Sequence, residues 1–275
     1  MLDRKRITAA IWTWGTENRE QMEKAAKEIT AIGYTSFESV KAAIYAFDLD
    51  LEAYQEVLDR YGLKPVSFYY HFPPFGQEDE IFKNLDKELE FISKLGVDRI
   101  CLQATIGRPE VMDEEKLAFE ANLIEKFARK TKEYGITTNL HNHHNTWIMY
   151  KPEIDNALRN IDPEVLSFAP DTAHLVAGLC DPVEVIREYA DRVHFIHLKD
   201  IKSADLNSAG MAEAGMEVYT NFCELGTGIV DFPTVFDILK SVGYDGPLCE
   251  ELDMPPVDNA ISAKNNFDYI VSHYE

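Results

Sequence analysis

Four short polar clusters each close an apolar run, and their residue types are those that bind metals and move protons. They are Leu140-His141-Asn142-His143-His144, Asp171-Thr172-Ala173-His174, His194-Phe195-Ile196-His197-Leu198-Lys199-Asp200 and Glu250-Glu251-Leu252-Asp253. From His141 to Asp171 is 30 positions and from Asp171 to His197 is 26, each about one strand–helix unit. From His197 to Glu251 is 54, the excess being one long connection. Side chains that recur at the C-terminal ends of successive parallel strands converge on one point. Imidazole and carboxylate meeting there bind a divalent metal, so these spacings favour a metal-dependent enzyme.

Strand parity sorts the candidates. His141 and His143 share a face as their strand ends, while His144 points elsewhere, to the surface or the surroundings of the site. Asp171 follows Pro170 at a strand end, where a buried carboxylate needs a metal or an arginine to offset it. His174, three residues on, is as suited to support a ligand as to be one. His194 and His197 differ in parity; His197 lies nearer the C-terminal end and is the site residue, leaving His194 as a packed, hydrogen-bonded core histidine. Lys199 and Asp200 follow within reach of a substrate oxygen. Glu250 and Glu251 also differ in parity, and the pattern alone leaves open which of them faces inward; Asp253 shares the parity of Glu251. Glu38, His71, Gln103 and Trp12 or Trp14 fall near the ends of strands one to four and are weaker candidates. No P-loop, GxSxG, paired CxxC or HExxH occurs, and Gly226-Thr227-Gly228 resembles a phosphate-cradling turn only weakly.

The elements that must position these residues alternate eight times. Strands are expected at Ile7–Trp12, Ser36–Ser39, Pro65–His71, Arg99–Gln103, Thr137–His141, Leu166–Ala169, Val193–His197 and Pro247–Glu251. Helical spacing of apolar residues marks Gln21–Ile32, Leu51–Tyr61, Ile81–Leu95 and Glu114–Tyr134, then Glu153–Ile161, Pro182–Tyr189, Phe232–Val242 and Asn259–His273. Glycines between helix and strand (33, 62, 96, 135 and 243) suit helix C-termini. Near-continuous apolar strands fit a parallel sheet covered by helices. Without a composition break or a Gly-rich turn after the first strand, the pattern predicts one (β/α)8 TIM barrel over residues 1–275 rather than an open doubly wound sheet. The connection Ile201–Thr220, rich in Ala, Gly and Ser, is expected to be a lid or substrate loop.

Composition narrows the function further. The 275 residues are 45% hydrophobic, enough for a large core, and no apolar stretch reaches the roughly 18 residues of a membrane helix. Met1-Leu2-Asp3-Arg4-Lys5-Arg6 lacks a signal-peptide segment. Four scattered cysteines (101, 180, 223 and 249) read as reduced thiols of a cytoplasmic protein. A net charge of −21 repels nucleic acid and anionic membranes. An anionic substrate remains compatible with it, since Lys199 or Arg108 can offset charge locally.

In this order and spacing the clusters resemble the xylose-isomerase-like barrel superfamily of sugar isomerases, epimerases and dehydratases. The resemblance is carried by His141-Asn142-His143, Asp171-x-x-His174 with Gly178 and Asp181-Pro182, and His197-Leu198-Lys199-Asp200. Gly226-Thr227-Gly228-Ile229-Val230-Asp231-Phe232 and Glu251-x-Asp253 complete it. It implies that Asp171, His197 and Glu251 are metal ligands, which selects Glu251 over Glu250. Most members carry a glutamate where this chain has His141, so the paired glutamates of a two-sided epimerase are missing. The pattern is most similar to inosose dehydratase and its relatives, a group that includes subunits cleaving oxidised C-glycosides. The expected activity is therefore a divalent-metal-dependent lyase that abstracts a proton beside a carbonyl of a keto-cyclitol, keto-sugar or oxidised glycoside. A keto-sugar or sugar phosphate isomerase/epimerase is the alternative. His141, Asp171, His197 and Glu251 would hold the metal, His143 or Glu251 would act as base, and Lys199 would meet developing oxyanion charge. Mixed nitrogen and oxygen ligands suit Mn²⁺ first, then Co²⁺, Fe²⁺ or Zn²⁺. The expected partner is a small carbohydrate or cyclitol, with a homo-oligomer or partner subunit compatible. A barrel nuclease of the apurinic-site type would need further histidines, for which only His71 is offered, and a silent sugar-binding subunit would need an empty metal site.

Overall fold

The eight apolar runs form eight parallel strands in a computed structural model that describes residues 2–204 and 217–274. They are β1 (Ile7–Ala10), β2 (Ser36–Val40), β3 (Lys64–His71), β4 (Arg99–Gln103), β5 (Thr137–His141), β6 (Leu166–Phe168), β7 (Ile196–Leu198) and β8 (Leu248–Glu250). Their order around the sheet is β6-β5-β4-β3-β2-β1-β8-β7. Two single parallel bridges, Phe168–Val193 and Asp171–His197, close the barrel between β6 and β7. The expected TIM barrel is the observed architecture.

Eight helices cover it: α1 (Arg19–Ile32), α2 (Leu51–Tyr61), α3 (Leu85–Lys94), α4 (Glu114–Lys132), α5 (Lys151–Asn160), α6 (Pro182–Glu188), α7 (Phe232–Ser241) and α8 (Asn259–His273). Short polar side chains start many of them by accepting otherwise unused N–H groups. Asn18 accepts from Gln21, Asp50 from Ala53, Asp113 from Lys116 and Asp231 from Thr234. At the end of α2, Gly62 takes φ 64°, a left-handed turn that a side chain would strain, and donates to Asp59 and Leu58.

The differences from the sequence pattern are local. Strand seven starts at Ile196, not Val193, because Val193 keeps one bridge to Phe168 and no continuous ladder. Trp12–Trp14 leaves β1 as a tight helical turn instead of extending it. Short helices at Lys41–Tyr45 and Thr172–Ala177, which the periodicity does not single out, follow β2 and β6 directly. Of the expected lid at Ile201–Thr220, residues 205–216 lie outside the described residues. The flanks that are described pair Asp200–Ile201 antiparallel with Phe222–Cys223.

Apolar side chains fill two spaces. The larger lies between sheet and helices; a small one inside the barrel holds Ala10, Cys101, Ala169, Phe195 and Cys249, with Trp12, Val66 and Tyr69 packed on it. All four cysteines are free thiols, three of them buried. No described helix is long and apolar enough to cross a membrane.

One buried carboxyl ties a helix to the barrel rim. Glu120 of α4 accepts from the N–H of Thr105 (2.9 Å) and from its hydroxyl (2.7 Å). Burial pushes it up to about 7 against 4.5 for the ordinary group. Between those values the folded chain keeps a proton that the unfolded chain has released, so stability falls as pH rises from about 4.5 to 7 and is flat above. Glu120→Gln should remove that slope. Urea titrations at pH 5 and pH 8 should then show the variant gaining on the wild type by on the order of 1–3 kcal/mol at the higher pH.

Candidate active site

Strand alternation turns His141 of β5 and His197 of β7 into the barrel, and Asp171 and Glu251 lie one to three residues past β6 and β8. All four are buried. The ligand-type atoms of His141, Asp171 and His197 lie within 4.8 Å of one another. Nδ1 of His141 is 2.9 Å from Nδ1 of His197, and Glu251 Oε2 is 3.7 Å from the latter. The other nitrogen of His197, Nε2, donates to Glu38 of β2, whose second oxygen accepts from Ser67 (2.7 Å). A carboxylate holding the far side of an imidazole fixes its tautomer and turns the near nitrogen toward the site. Glu38, only a weaker candidate by sequence, is therefore part of the cluster. Its signal was a charged residue inside an otherwise buried strand.

Negative charge is in excess here. Glu38, Asp171, Glu251 and Asp253 face one lysine, Lys199, which is fully buried. Its ammonium pairs with Glu251, with Asp253 at 2.7 Å and with Asp171 at 3.3 Å. Burial would lower the Lys199 value, but Asp171, Asp253 and Glu251 hold it well above the ordinary one. Burial likewise opposes charge on His197, yet Glu38 and Glu251 beside it raise the imidazole to about 9. Burial, with Asp253 and Asp171 adding, pushes Glu251 above the usual carboxylate range against the pull of Lys199 and His197. His141 goes the other way, well below its ordinary value through burial and the nearby His197 and His143. Two imidazole nitrogens, two carboxylates and surplus negative charge fit a divalent cation of intermediate softness.

Three further histidines line the rim. The His143 ring lies 3.8 Å from that of His174 and 5.8 Å from that of His141. Nδ1 of His143 donates to the His144 carbonyl (2.7 Å), so its Nε2 keeps a lone pair. The His144 N–H donates to Nδ1 of His174 (3.2 Å), so that ring carries its proton on Nε2, 3.3 Å from Lys199 Nζ. His144, expected toward the surface or the surroundings of the site, is buried, and its main chain sets both tautomers. Burial, then Lys199, holds His143 down to about 3, a neutral imidazole at physiological pH. Trp12 and Tyr69 form an aromatic wall 5.5 Å apart, each near His197; Trp12 also donates to Asp253 (3.3 Å). Tyr69 donates to Gln103. Tyr219, in the described flank of the long connection, lies 6.3 Å from His143, and Phe222 lies 5.0 Å from His174.

Other expected residues go elsewhere. Glu250 faces outward and accepts from Asn266 of α8 (2.8 Å). His194 bonds Ser167 (2.9 Å) but is exposed rather than packed in the core, since the chain is still outside β7 at that point. Asp200 does not reach for a substrate oxygen: its carboxylate accepts from the N–H groups of Ile201, Gly226, Gly228 and Val230. The Gly226-Thr227-Gly228 turn is thus filled by the chain's own anion. Arg108 pairs with Glu153 and lies over the Tyr150 ring, so it is committed to the loops. His71 is exposed, and Trp14 donates to Glu28 of α1.

The model of the xylose isomerase-like TIM barrel family matches residues 25–270, and the chain belongs to that family. Among its curated relatives, the inosose dehydratase of Lacticaseibacillus casei is 29% identical over 174 residues. That match covers 58% of this chain and 56% of the relative, so the chain spans just over half the length of that protein. The inosose dehydratase of Geobacillus kaustophilus is 23% identical over 283 residues, covering 94% and 90%. The probable 3-DHS dehydratase AsbF of Bacillus anthracis superposes with a TM-score of 0.78 at 13% identity, over 98% of this chain and 100% of that one, a likeness of fold.

The Asp200 arrangement carries its own test. Asp200→Ala would strand four N–H groups and should lower unfolding free energy by about 2–3 kcal/mol, read from denaturant midpoints with unchanged slope.

Proposed function

We propose that this protein is a divalent-metal-dependent lyase that removes water from a keto-cyclitol by first abstracting the proton beside its carbonyl. The observation that carries this reading is the convergence of His141, Asp171 and His197 within 4.8 Å, with Glu251 and the buried Lys199 beside them. The likeness to two inosose dehydratases supports the substrate class.

His141, Asp171, His197 and Glu251 would hold the ion, with Mn²⁺ the first choice and Co²⁺, Fe²⁺ or Zn²⁺ able to serve. When bound, it supplies Lewis acidity to a carbonyl and an adjacent hydroxyl. The residues of the chain do the rest. His143 takes the proton at Nε2, the nitrogen that its bond to the His144 carbonyl leaves free. Oxyanion charge developing nearby favours the imidazolium that results. Lys199 meets that charge, and its ammonium with the Nε2–H of His174 presents two donors 3.3 Å apart to the departing hydroxyl. As the carbon–oxygen bond breaks, the carbon–carbon double bond forms and the hydroxyl leaves as water with a proton from these donors. Trp12 and Tyr69 offer an apolar wall to the ring's C–H face. The free thiols suit a cytoplasmic enzyme.

Elimination is favoured over epimerisation because His141 replaces the second carboxylate that a two-sided proton exchange would use. Purified protein with Mn²⁺ should convert keto-inositols to products lighter by one water, with solvent deuterium entering beside the carbonyl. An unchanged mass with altered configuration would overturn the lyase. Asp171→Asn and His197→Ala should each lose bound metal by elemental analysis as well as activity. His143→Ala should lower kcat on the order of 10²-fold or more while keeping its metal; a near-normal rate would shift the base role to Glu251.

A further inference from the structure

The residue after His141 makes a contact that no ligand or base role accounts for. Asn142 is fully buried and turns away from the barrel interior toward the next strand. Its Oδ1 accepts from the Asp171 N–H at 3.0 Å, and its Nδ2 donates to the Asp171 carbonyl at 3.3 Å. One carboxamide thus bonds both main-chain groups of a residue 29 positions away, the carbonyl also accepting from the Leu175 N–H at 2.9 Å.

The local backbone explains why a side chain is needed. The β5–β6 ladder runs through Leu140–Phe168, with the Ala169 N–H donating to Leu140. Pro170 has no N–H to offer. Beyond it the β5 chain turns off, the His143 N–H going to Ile148 instead. The next rung, from Asp171, therefore falls on the Asn142 side chain. Asp171 is held from its other end as well: its Oδ1 accepts from the His174 N–H at 2.8 Å, leaving Oδ2 toward Lys199 and the imidazoles. Thr172 does the same one strand on, with its hydroxyl donating to the Lys199 carbonyl (2.6 Å) and accepting from the Lys199 N–H (3.0 Å).

We propose that Asn142 is a positioning residue: by bonding both main-chain groups of Asp171 it holds that carboxylate at the spacing from His141 that a divalent ion requires. This rests on the metal site proposed above. Its loss acts through Asp171, so affinity for the ion falls while the rest of the barrel stays folded. Supports of this kind change metal affinity by roughly 10–100-fold.

The test is Mn²⁺ affinity of chelator-stripped protein, measured by calorimetry for the wild type, Asn142→Ala, Asn142→Asp and Thr131→Val. Thr131 is an equally buried polar residue of α4, bonded to Ala128 and Thr138 and remote from the site. Asn142→Asp keeps the shape and the acceptor but sets a carboxyl oxygen against the Asp171 carbonyl, and it decides the matter if Asn142→Ala does not fold. The expected result is one Mn²⁺ per wild-type chain, weakening by tenfold or more in the Asn142 variants and unchanged affinity in Thr131→Val. A weakening under about threefold, or an equal one in Thr131→Val, would overturn the role of Asn142. A wild type that binds no Mn²⁺ would instead overturn the metal site itself.

Discussion

Four carboxylates, three of them buried, and one buried lysine in the mouth of a barrel set the terms for the rest of this structure. A carboxylate taken out of water is costly unless it is paired or bound to a cation. Lys199 satisfies part of the demand through Glu251, Asp253 and Asp171, and His197 satisfies another through Glu38. What remains is a surplus of negative charge at the point where two imidazole nitrogens approach each other. Such an arrangement persists because the surrounding barrel over-determines it, and surplus charge of this kind is characteristic of sites that bind a cation during their work.

The barrel closes at the same place. Between β6 and β7 the ladder is reduced to two bridges, and one of them joins Asp171 to His197. A thin seam supplies few backbone bonds, so a side chain takes over there: Thr172 grips Lys199, while on the β5 side Asn142 grips Asp171. Asp171 and Lys199 are thus each fixed by the residue that follows a site residue one strand earlier, Asn142 after His141 and Thr172 after Asp171. Rigid support of this kind is what catalytic geometry needs.

Proton transfer is prepared by the same economy. The peptide of His144 donates to one histidine and accepts from another, giving His143 a free lone pair and His174 a free N–H. In the proposed mechanism these two imidazoles, tilted and 3.8 Å apart, serve as base and acid, and main-chain contacts distinguish them. Elimination asks for such an asymmetric pair, whereas inversion at one carbon asks for two equivalent bases on opposite faces.

The eight-unit barrel was legible from the sequence, because strands buried on both faces leave near-continuous apolar runs and amphipathic helices leave a 3.6-residue period. The convergence of His141, Asp171 and His197 was legible too, because strand ends of one barrel must converge and each closes an apolar run. Periodicity left Glu250 and Glu251 open, because they differ only in parity, and only the family resemblance selected Glu251; the pairing of Leu248, Cys249 and Glu250 with β7 turned Glu250 toward Asn266 and left Glu251 inward. Glu38 lay more than a hundred residues from its partner, and only the closed ring of strands brought it to His197. Asp200 looked like a substrate contact until the return of the chain at Gly226 and Gly228 claimed its oxygens. Sequence periodicity specifies which faces are buried, because burial repeats locally. Which polar atoms meet inside that buried space depends on strand register and closure, and those exist only in the folded chain.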